Sequence, residues 1–282
     1  MKALVVGGTR FIGAHVVRRL HDAGAQVTAF HRGTSSNPIL PVIEHVLDPG
    51  AEYPITAFPA ELLRDWDIVI HMVAMGEADA EAAARSFAGR TGRLVLVSSC
   101  DVYRAYGRLM KTEPGPQEAV PLREDAPLRS VLYPYRGMEA QLGAYAYDYD
   151  KILAERAVQG ASGPDWTILR LPKVYGPEDN GDLSTVYGFA GVPEWRWTHG
   201  HVENVLPPQS WRLPPVRKRV TRFSISERRL RRPWASGWHC CRSSVATRLR
   251  RRRSTTTRIS SSTPEKFEHN LVIPMLSMSG SR

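Results

Sequence analysis

Hydrophobic and polar positions along the first 175 residues alternate between short apolar runs and longer amphipathic stretches. Lys2 to Val6 is an apolar run that breaks into Gly7-Gly8-Thr9-Arg10-Phe11-Ile12-Gly13. A helical pattern follows, with Ile12, Val16, Val17 and Leu20 on one face and Gly24 as its stop. Further strands are predicted at Gln26 to Phe30, Ile43 to Leu47, Asp67 to Val73, Arg93 to Val97 and Trp166 to Leu171. Between them, Gly76 to Arg90 and Arg136 to Val158 read as helices. The strands are short, β-branched and apolar on both faces, as strands covered on both sides must be. Strand-helix alternation of this kind predicts an α/β fold, a Rossmann-like doubly wound parallel sheet.

From Leu206 the pattern stops. Leu206-Pro207-Pro208 and Leu213-Pro214-Pro215 break any helix, and Arg248-Leu249-Arg250-Arg251-Arg252-Arg253 leads into Thr- and Ser-rich runs. No 2.0 or 3.6 period is sustained there, and the composition is that of a largely unstructured segment. The expected organisation is a dinucleotide-binding domain over 1–177, a remnant of a substrate-binding region over 178–205, and a basic tail over 206–282. The C-terminal substrate lobe is thus expected to be incomplete.

Charge sharpens that division. The 282 residues carry a formal +10. Residues 206–282 hold eighteen Lys+Arg and three acidic residues, so they carry +15 and residues 1–205 carry −5. With 42% apolar residues the chain has material for a substantial core, which excludes a wholly disordered protein. Three cysteines argue against a disulfide-stapled secreted scaffold. No window approaches the ~18 continuous apolar residues of a membrane span, and the N-terminus does not read as a signal peptide. The expectation is a cytoplasmic protein with no membrane partner. Neither His239-Cys240-Cys241 nor His199-Gly200-His201 has metal-ligand spacing, so no metal is expected.

Three places carry chemistry. A strand entering a Gly-rich turn and then a helix aims backbone N–H groups and a helix N-terminus at a phosphate. Gly7 and Gly13 are the outer glycines of a G-x-x-G-x-x-G pattern whose middle position is Arg10. An acidic residue ending the second strand would bind the ribose hydroxyl of NAD. His31-Arg32 stands there instead. A guanidinium suits a 2′-phosphate, and Arg10 could lie close by, which tilts the choice towards NADP. Solvated surface arginines are the alternative. Asp48 is either an adenine contact or a turn residue before Pro49.

The second place is Tyr147-Asp148-Tyr149-Asp150-Lys151. On the predicted helix Tyr147 and Lys151 are i and i+4 and share a face, with Tyr145 and Tyr149 turned away from it. A phenol, with a pKa near ~10, is a poor base at neutral pH, but a neighbouring ammonium favours its ionised form. The third place is Val97-Ser98-Ser99-Cys100-Asp101-Val102-Tyr103, at the carboxyl end of the fifth strand, where open α/β sheets bind ligands. Ser99 there is either a substrate contact or a cap residue. The stretch from Glu113 to Tyr135 reads as a lid or substrate loop.

Taken in order, Gly7-Gly8-Thr9-Arg10-Phe11-Ile12-Gly13, His71-Met72-Val73-Ala74, Ser98-Ser99 with Val102-Tyr103, Tyr147 with Lys151, and Arg170-Leu171-Pro172-Lys173-Val174-Tyr175-Gly176-Pro177 resemble the extended short-chain dehydrogenase/reductases, the NAD-dependent epimerase/dehydratases. Val202-Glu203-Asn204-Val205 is similar to the family's late V-x-D-V element. The resemblance covers residues 1–205. It implies NAD(P) as cofactor, held by Gly7, Gly8, Thr9, Arg10, Phe11, Ile12, Gly13, His31, Arg32, Asp48, Val73, Ala74 and Lys151. It makes Tyr147 the acid/base, Lys151 its partner and Ser99 the substrate-hydroxyl contact. The substrate it implies is a nucleotide sugar or a similar hydroxyl or carbonyl compound. The family often forms homodimers.

The spelling G-G-T-R-F-I-G is also similar to atypical relatives that bind RNA. A non-catalytic nucleotide- or RNA-binding protein on the same scaffold is therefore the competing expectation, with the basic tail assisting. The tail itself has three readings: a nucleic-acid arm, a solvated extension, or out-of-frame translation, which the abrupt change after Val205 favours.

Overall fold

The computed structural model describes residues 1–177 apart from 36, 51, 117 and 119–121, together with 199–205 and 219–222. The chain divides into two compact units, Met1–Ile225 and Ser226–Arg282. The second lies outside the described residues, as do most of the predicted substrate region and most of the tail.

The first unit is built on a parallel sheet of seven strands in the order β3-β2-β1-β4-β5-β6-β9. Its strands are β1 (Lys2–Val6), β2 (Gln26–His31), β3 (Glu44–Leu47), β4 (Ile68–His71), β5 (Leu94–Ser99), β6 (Trp166–Leu171) and β9 (Arg219–Arg222). Strands β7 (Lys173–Tyr175) and β8 (His199–His201) form a separate parallel pair. The six strands expected from the sequence are all present, with ends shifted by a residue or two. The seventh, β9, lies within the predicted tail, which is therefore not wholly outside the fold. Its Thr167↔Arg219 to Arg170↔Arg222 register gives β6 a partner on its open edge.

Alternation along each strand feeds two cores. Leu4, Val6, Val69, Leu94, Leu96 and Ile168 face Ala80, Ala83 and Ala84 of α2 (Glu77–Ser86), Phe87 at its C-cap, and Ala154 and Val158 of α5 (Lys151–Gly160). On the opposite face, Ala3, Val5, Ile68, Ile70 and Val95 meet Val16, Val17 and Leu20 of α1 (Phe11–Asp22). Both faces are covered, as a parallel sheet requires. The strand order reverses between β1 and β4, which is where an open α/β sheet leaves a crevice at its carboxyl edge.

The predicted helix over Arg136–Val158 is not formed as one piece. After α3 (Arg104–Leu109), the predicted span holds only the short α4 (Glu139–Leu142) before its last part, and Gly137 and Gly143 take φ of +92° and +97°. Those left-handed positions end any continuous helix. The Asp150 carboxylate then accepts from the amides of Ile152 and Leu153, so α5 starts at Lys151. The stretch after Glu113 is anchored rather than free. Leu122, Ala126, Leu128 and Leu132 pack against Cys100, Val102, Tyr103 and Ile152, and the Glu113 carboxylate accepts from the amides of Ser130 and Val131.

Candidate functional site

The glycine turn is fixed by contact as much as by conformation. Gly7 has φ +83°, its amide donates to the Phe30 carbonyl at 2.9 Å, and a Cβ there would sit 2.6 Å from Val73 Cγ1. A Cβ on Gly13 would come within 2.2 Å of the Gly7 carbonyl oxygen. The two outer glycines thus let the first turn of α1 close directly onto the end of β1. Arg10 stands at the N-cap in extended conformation, with no side-chain cap, and the first turn holds no acidic residue. That leaves amide donors and the positive end of the helix dipole to an anion. Phe11 takes φ +40°, a strained conformation of the kind that clusters at binding sites.

A groove opens beside this turn, lined by Val6, Gly7, Thr9, Arg10, Phe30, His31, Arg32, Thr34, Ser35, Glu52, Tyr53, Ile55 and Val73. Six of the predicted cofactor residues therefore meet in one place: Gly7, Thr9, Arg10, His31, Arg32 and Val73. Gly8, Phe11, Ile12 and Gly13 form the turn and the start of α1 beneath it. Asp48 does not line the groove. Its carboxylate accepts from the Gly50 amide at 3.2 Å, as in a turn. Sequence reasoning missed Ser35, whose hydroxyl meets that of Thr9 at 3.0 Å, and Tyr53, whose ring lies 5.6 Å below the Arg32 guanidinium. Neither belongs to a spacing pattern that could have revealed it. The open turn, the uncapped helix and the cationic rim fit a dinucleotide.

Lys151 sits by the carboxyl ends of β4 and β5. Its buried ammonium donates to the Ala74 carbonyl at 2.5 Å and the Val97 carbonyl at 3.2 Å, bridging the ends of β4 and β5. Burial pulls its pKa down to about 8, against the opposing pull of Asp101, Asp79 and Glu155. Burial, with Lys151 nearby, also holds His71 neutral at a pKa of about 3. Ser99 ends β5, and its hydroxyl oxygen accepts from the Asp101 amide at 3.2 Å. Lys151 and Ser99 are thus placed around the same two strand ends.

Tyr147 is not where the predicted helix would put it. It precedes α5, is 54% exposed, and lays its ring against the Arg136 guanidinium at 4.3 Å. Arg136 also donates to the Tyr147 carbonyl at 3.0 Å. The tyrosine facing Lys151 is Tyr149, its ring centre 5.6 Å from Nζ, which corrects the expectation that it points away. The physical reason is the cap: with α5 beginning at Lys151, residues 147–150 do not follow helical spacing. The Tyr149 hydroxyl donates to Asp101 Oδ2 at 2.8 Å, and Tyr135 donates to the same oxygen at 3.2 Å. Burial raises the Asp101 pKa despite the pull of Arg129 and these donors.

The model of the NAD dependent epimerase/dehydratase family matches residues 3–190. The chain belongs to that family. Solved structures similar to this chain include MoeE5 in complex with UDP-glucuronic acid and NAD, 17% identical, covering 79% of this chain and 76% of that one at a TM-score of 0.54. The NAD-dependent NDP-hexosamine 5,6-dehydratase TunA is 20% identical, with the same 79% and 76% coverage and a TM-score of 0.55. Vestitone reductase from alfalfa is 16% identical, again over 79% and 76%, at 0.56. At these identities the likeness establishes the fold. A search of curated proteins found no match. Among the described residues of this family member, no helix is long and apolar enough to cross a membrane, and no three His, Cys, Asp or Glu side chains are grouped to hold a metal.

Proposed function

We propose that this protein is an NAD(P)-dependent oxidoreductase of the epimerase/dehydratase type acting on a nucleotide sugar or a similar hydroxyl or carbonyl substrate. The observation that carries the reading is Lys151, a buried ammonium held by the carbonyls of Ala74 and Val97 at the ends of β4 and β5. Nothing in packing asks for a charge there, and burying it is costly. The nucleotide sugars bound by MoeE5, and the NDP-hexosamine named for TunA, support the substrate class. The NAD in the MoeE5 complex supports a nicotinamide cofactor, and Arg10, Arg32 and His31 around the groove support NADP over NAD.

In this reading the glycine turn and the α1 N-terminus hold the pyrophosphate, and the bound nicotinamide supplies a hydride acceptor. Ser99 donates its hydroxyl proton to the substrate oxygen, an option its own acceptor role to the Asp101 amide leaves open. Tyr147 takes the proton of the substrate alcohol as the carbon gives up hydride, and Lys151 favours the ionised phenol. This reading requires Tyr147 to leave Arg136, while Tyr149 and Asp150, at the i−2 and i−1 positions before Lys151, stay held by Asp101 and Arg129. Residues 178–205 are read as what remains of the substrate lobe.

The test is Tyr147→Phe in the full chain, with nicotinamide absorbance followed against UDP-glucose and UDP-glucuronic acid as probes. Turnover is expected to vanish while cofactor affinity stays within about twofold, because the lost hydroxyl acts only on the reacting alcohol. A variant as active as the wild type removes Tyr147 from the mechanism. A wild-type protein that binds neither NAD nor NADP overturns the oxidoreductase reading itself.

A further inference from the structure

His31 ends β2 inside the groove, and His45 stands beside it on β3. His31 Nε2 and His45 Nδ1 are 2.8 Å apart, with the rings nearly perpendicular at 85°. The Gly33 amide donates to His31 Nδ1 at 3.1 Å. These two contacts fix the protons. A backbone amide can only donate, so His31 Nδ1 accepts. The proton of neutral His31 is then on Nε2, donated to His45 Nδ1, and His45 carries its own proton on Nε2. An added proton would have to enter at one of the two accepting nitrogens, and in either place it displaces a hydrogen bond. Burial and the facing His45 accordingly lower the His31 pKa.

The surroundings settle what would make protonation favourable. Arg32 and Arg10 line the same groove, as do Glu52 and Tyr53. The Asp48 carboxylate is turned to the Gly50 amide, and the Glu44 carboxylate is taken by Thr28 and Arg64. No carboxylate is hydrogen-bonded to the pair among the described residues, and Glu52 is set against two arginines in the groove, so a proton on the pair is favoured by an anion entering there.

We propose that the His31–His45 pair is a proton-coupled specificity element for the cofactor, taking up a proton when a phosphate monoester on the adenosine ribose enters the groove. The preference for the phosphorylated dinucleotide then rises as pH falls, while binding of the unphosphorylated one does not follow the pair. The inference rests on the dinucleotide reading of the groove and adds to it how the choice between the two cofactors is made.

The experiment measures Kd for NADPH and NADH with the full chain at pH 8 and pH 6, for the wild type and for His45→Gln. A glutamine amide oxygen can accept the His31 Nε2–H bond but takes no proton. The ribose phosphate itself titrates near pH ~6 and loses charge on acidification, an effect common to both proteins, so the comparison between them isolates the histidines. Between pH 8 and pH 6 the NADPH preference of the wild type is expected to gain about threefold relative to that of the variant, because proton uptake is coupled to binding only in the wild type. Calorimetry of NADPH binding in two buffers of different ionisation enthalpy should show proton uptake in the wild type beyond that of the variant. Identical pH profiles in the two proteins, with both cofactors bound, overturn the role of the pair and leave the dinucleotide site standing. Failure of the wild type to bind either cofactor at either pH overturns both.

Discussion

Arg129 and Asp150 form a buried, two-pronged ion pair: Nη2 meets Oδ1 at 3.0 Å and Nη1 meets Oδ2 at 3.3 Å. The same carboxylate caps α5 through the Ile152 amide and receives the Tyr133 amide at 2.6 Å. One side chain therefore starts the helix that carries Lys151 and ties down the segment before it. Asp150→Ala is expected to cost about 3–5 kcal/mol, because it leaves a guanidinium buried without its charge partner. Asp150→Asn also loses the charge but can still cap, so it should be about 1 kcal/mol less damaging. Urea unfolding of the three proteins measures both differences, and equal losses in the two variants would show that the cap contributes nothing.

Lys151 predicts a pH dependence. Its folded pKa is about 8, below the ordinary 10.5. Below pH 8 both states hold the proton, and folding bears the cost of burying the ammonium. Between 8 and 10.5 the folded protein has released the proton while the unfolded chain keeps it, so stability rises with pH in that window. Relative to Lys151→Met, which cannot titrate, the wild type should gain up to about 3 kcal/mol between pH 7.5 and 10.5. Groups elsewhere titrate alike in both proteins and cancel in the difference. A constant difference across the window would mean that the buried amine does not titrate there.

The sheet was legible because each strand carries its own signal. β1 and β6 read as apolar runs from Lys2 to Val6 and from Trp166 to Leu171, and parallel strands buried on both faces need nothing more subtle. The glycine turn was legible for a similar reason: Gly7 and Gly13 are required by a contact between residues six positions apart. The break in Arg136–Val158 was hidden, since a pattern of Ala, Leu and Tyr satisfies a helix until the Asp150 carboxylate takes the amides of Ile152 and Leu153. Partners distant in sequence were hidden altogether. Arg129 and Asp150 are 21 residues apart, and Ser98 and Glu155 are 57 apart. His31 and His45 come together only because β2 and β3 run side by side in register. Local periodicity holds no trace of such pairings, which are decided by strand order.

Gly13 gives a sharp packing test. Gly13→Ala would press a methyl group onto the Gly7 carbonyl oxygen, a backbone atom that cannot turn aside. The turn must shift, and overpacking of this kind costs about 1–3 kcal/mol. Loss of dinucleotide affinity should accompany it, because the displaced atoms belong to the groove. Gly160→Ala is the counterpart at the end of α5, where an added Cβ meets nothing within 4 Å. There the better helix former should gain about 0.5–1 kcal/mol. Thermal unfolding of the two variants should move in opposite directions, and a harmless Gly13→Ala would show that the turn is looser than its contacts indicate.

Glu155 and Arg170 supply the last prediction, because their pair is shared with a third side chain. Arg170 donates from Nε to Glu155 Oε1 at 2.9 Å and from Nη2 to Oε2 at 2.7 Å, and the Ser98 hydroxyl donates to Oε1 at 2.6 Å. Arg170 also reaches the Glu124 carbonyl and lies over the Tyr103 ring. Glu155→Leu strands a buried guanidinium and a buried hydroxyl, whereas Arg170→Met strands the carboxylate, so each single change should cost about 3–5 kcal/mol. The double variant leaves no uncompensated charge and fills the space with apolar side chains. It should therefore lose markedly less than the sum of the two, with a coupling of about 2–3 kcal/mol in a denaturant double-mutant cycle. Adding Ser98→Ala to the double variant should be close to neutral, since the hydroxyl has by then lost its acceptor. Additive losses in the cycle would mean that Arg170 is held by the Glu124 carbonyl and Tyr103 and owes little to the carboxylate it faces.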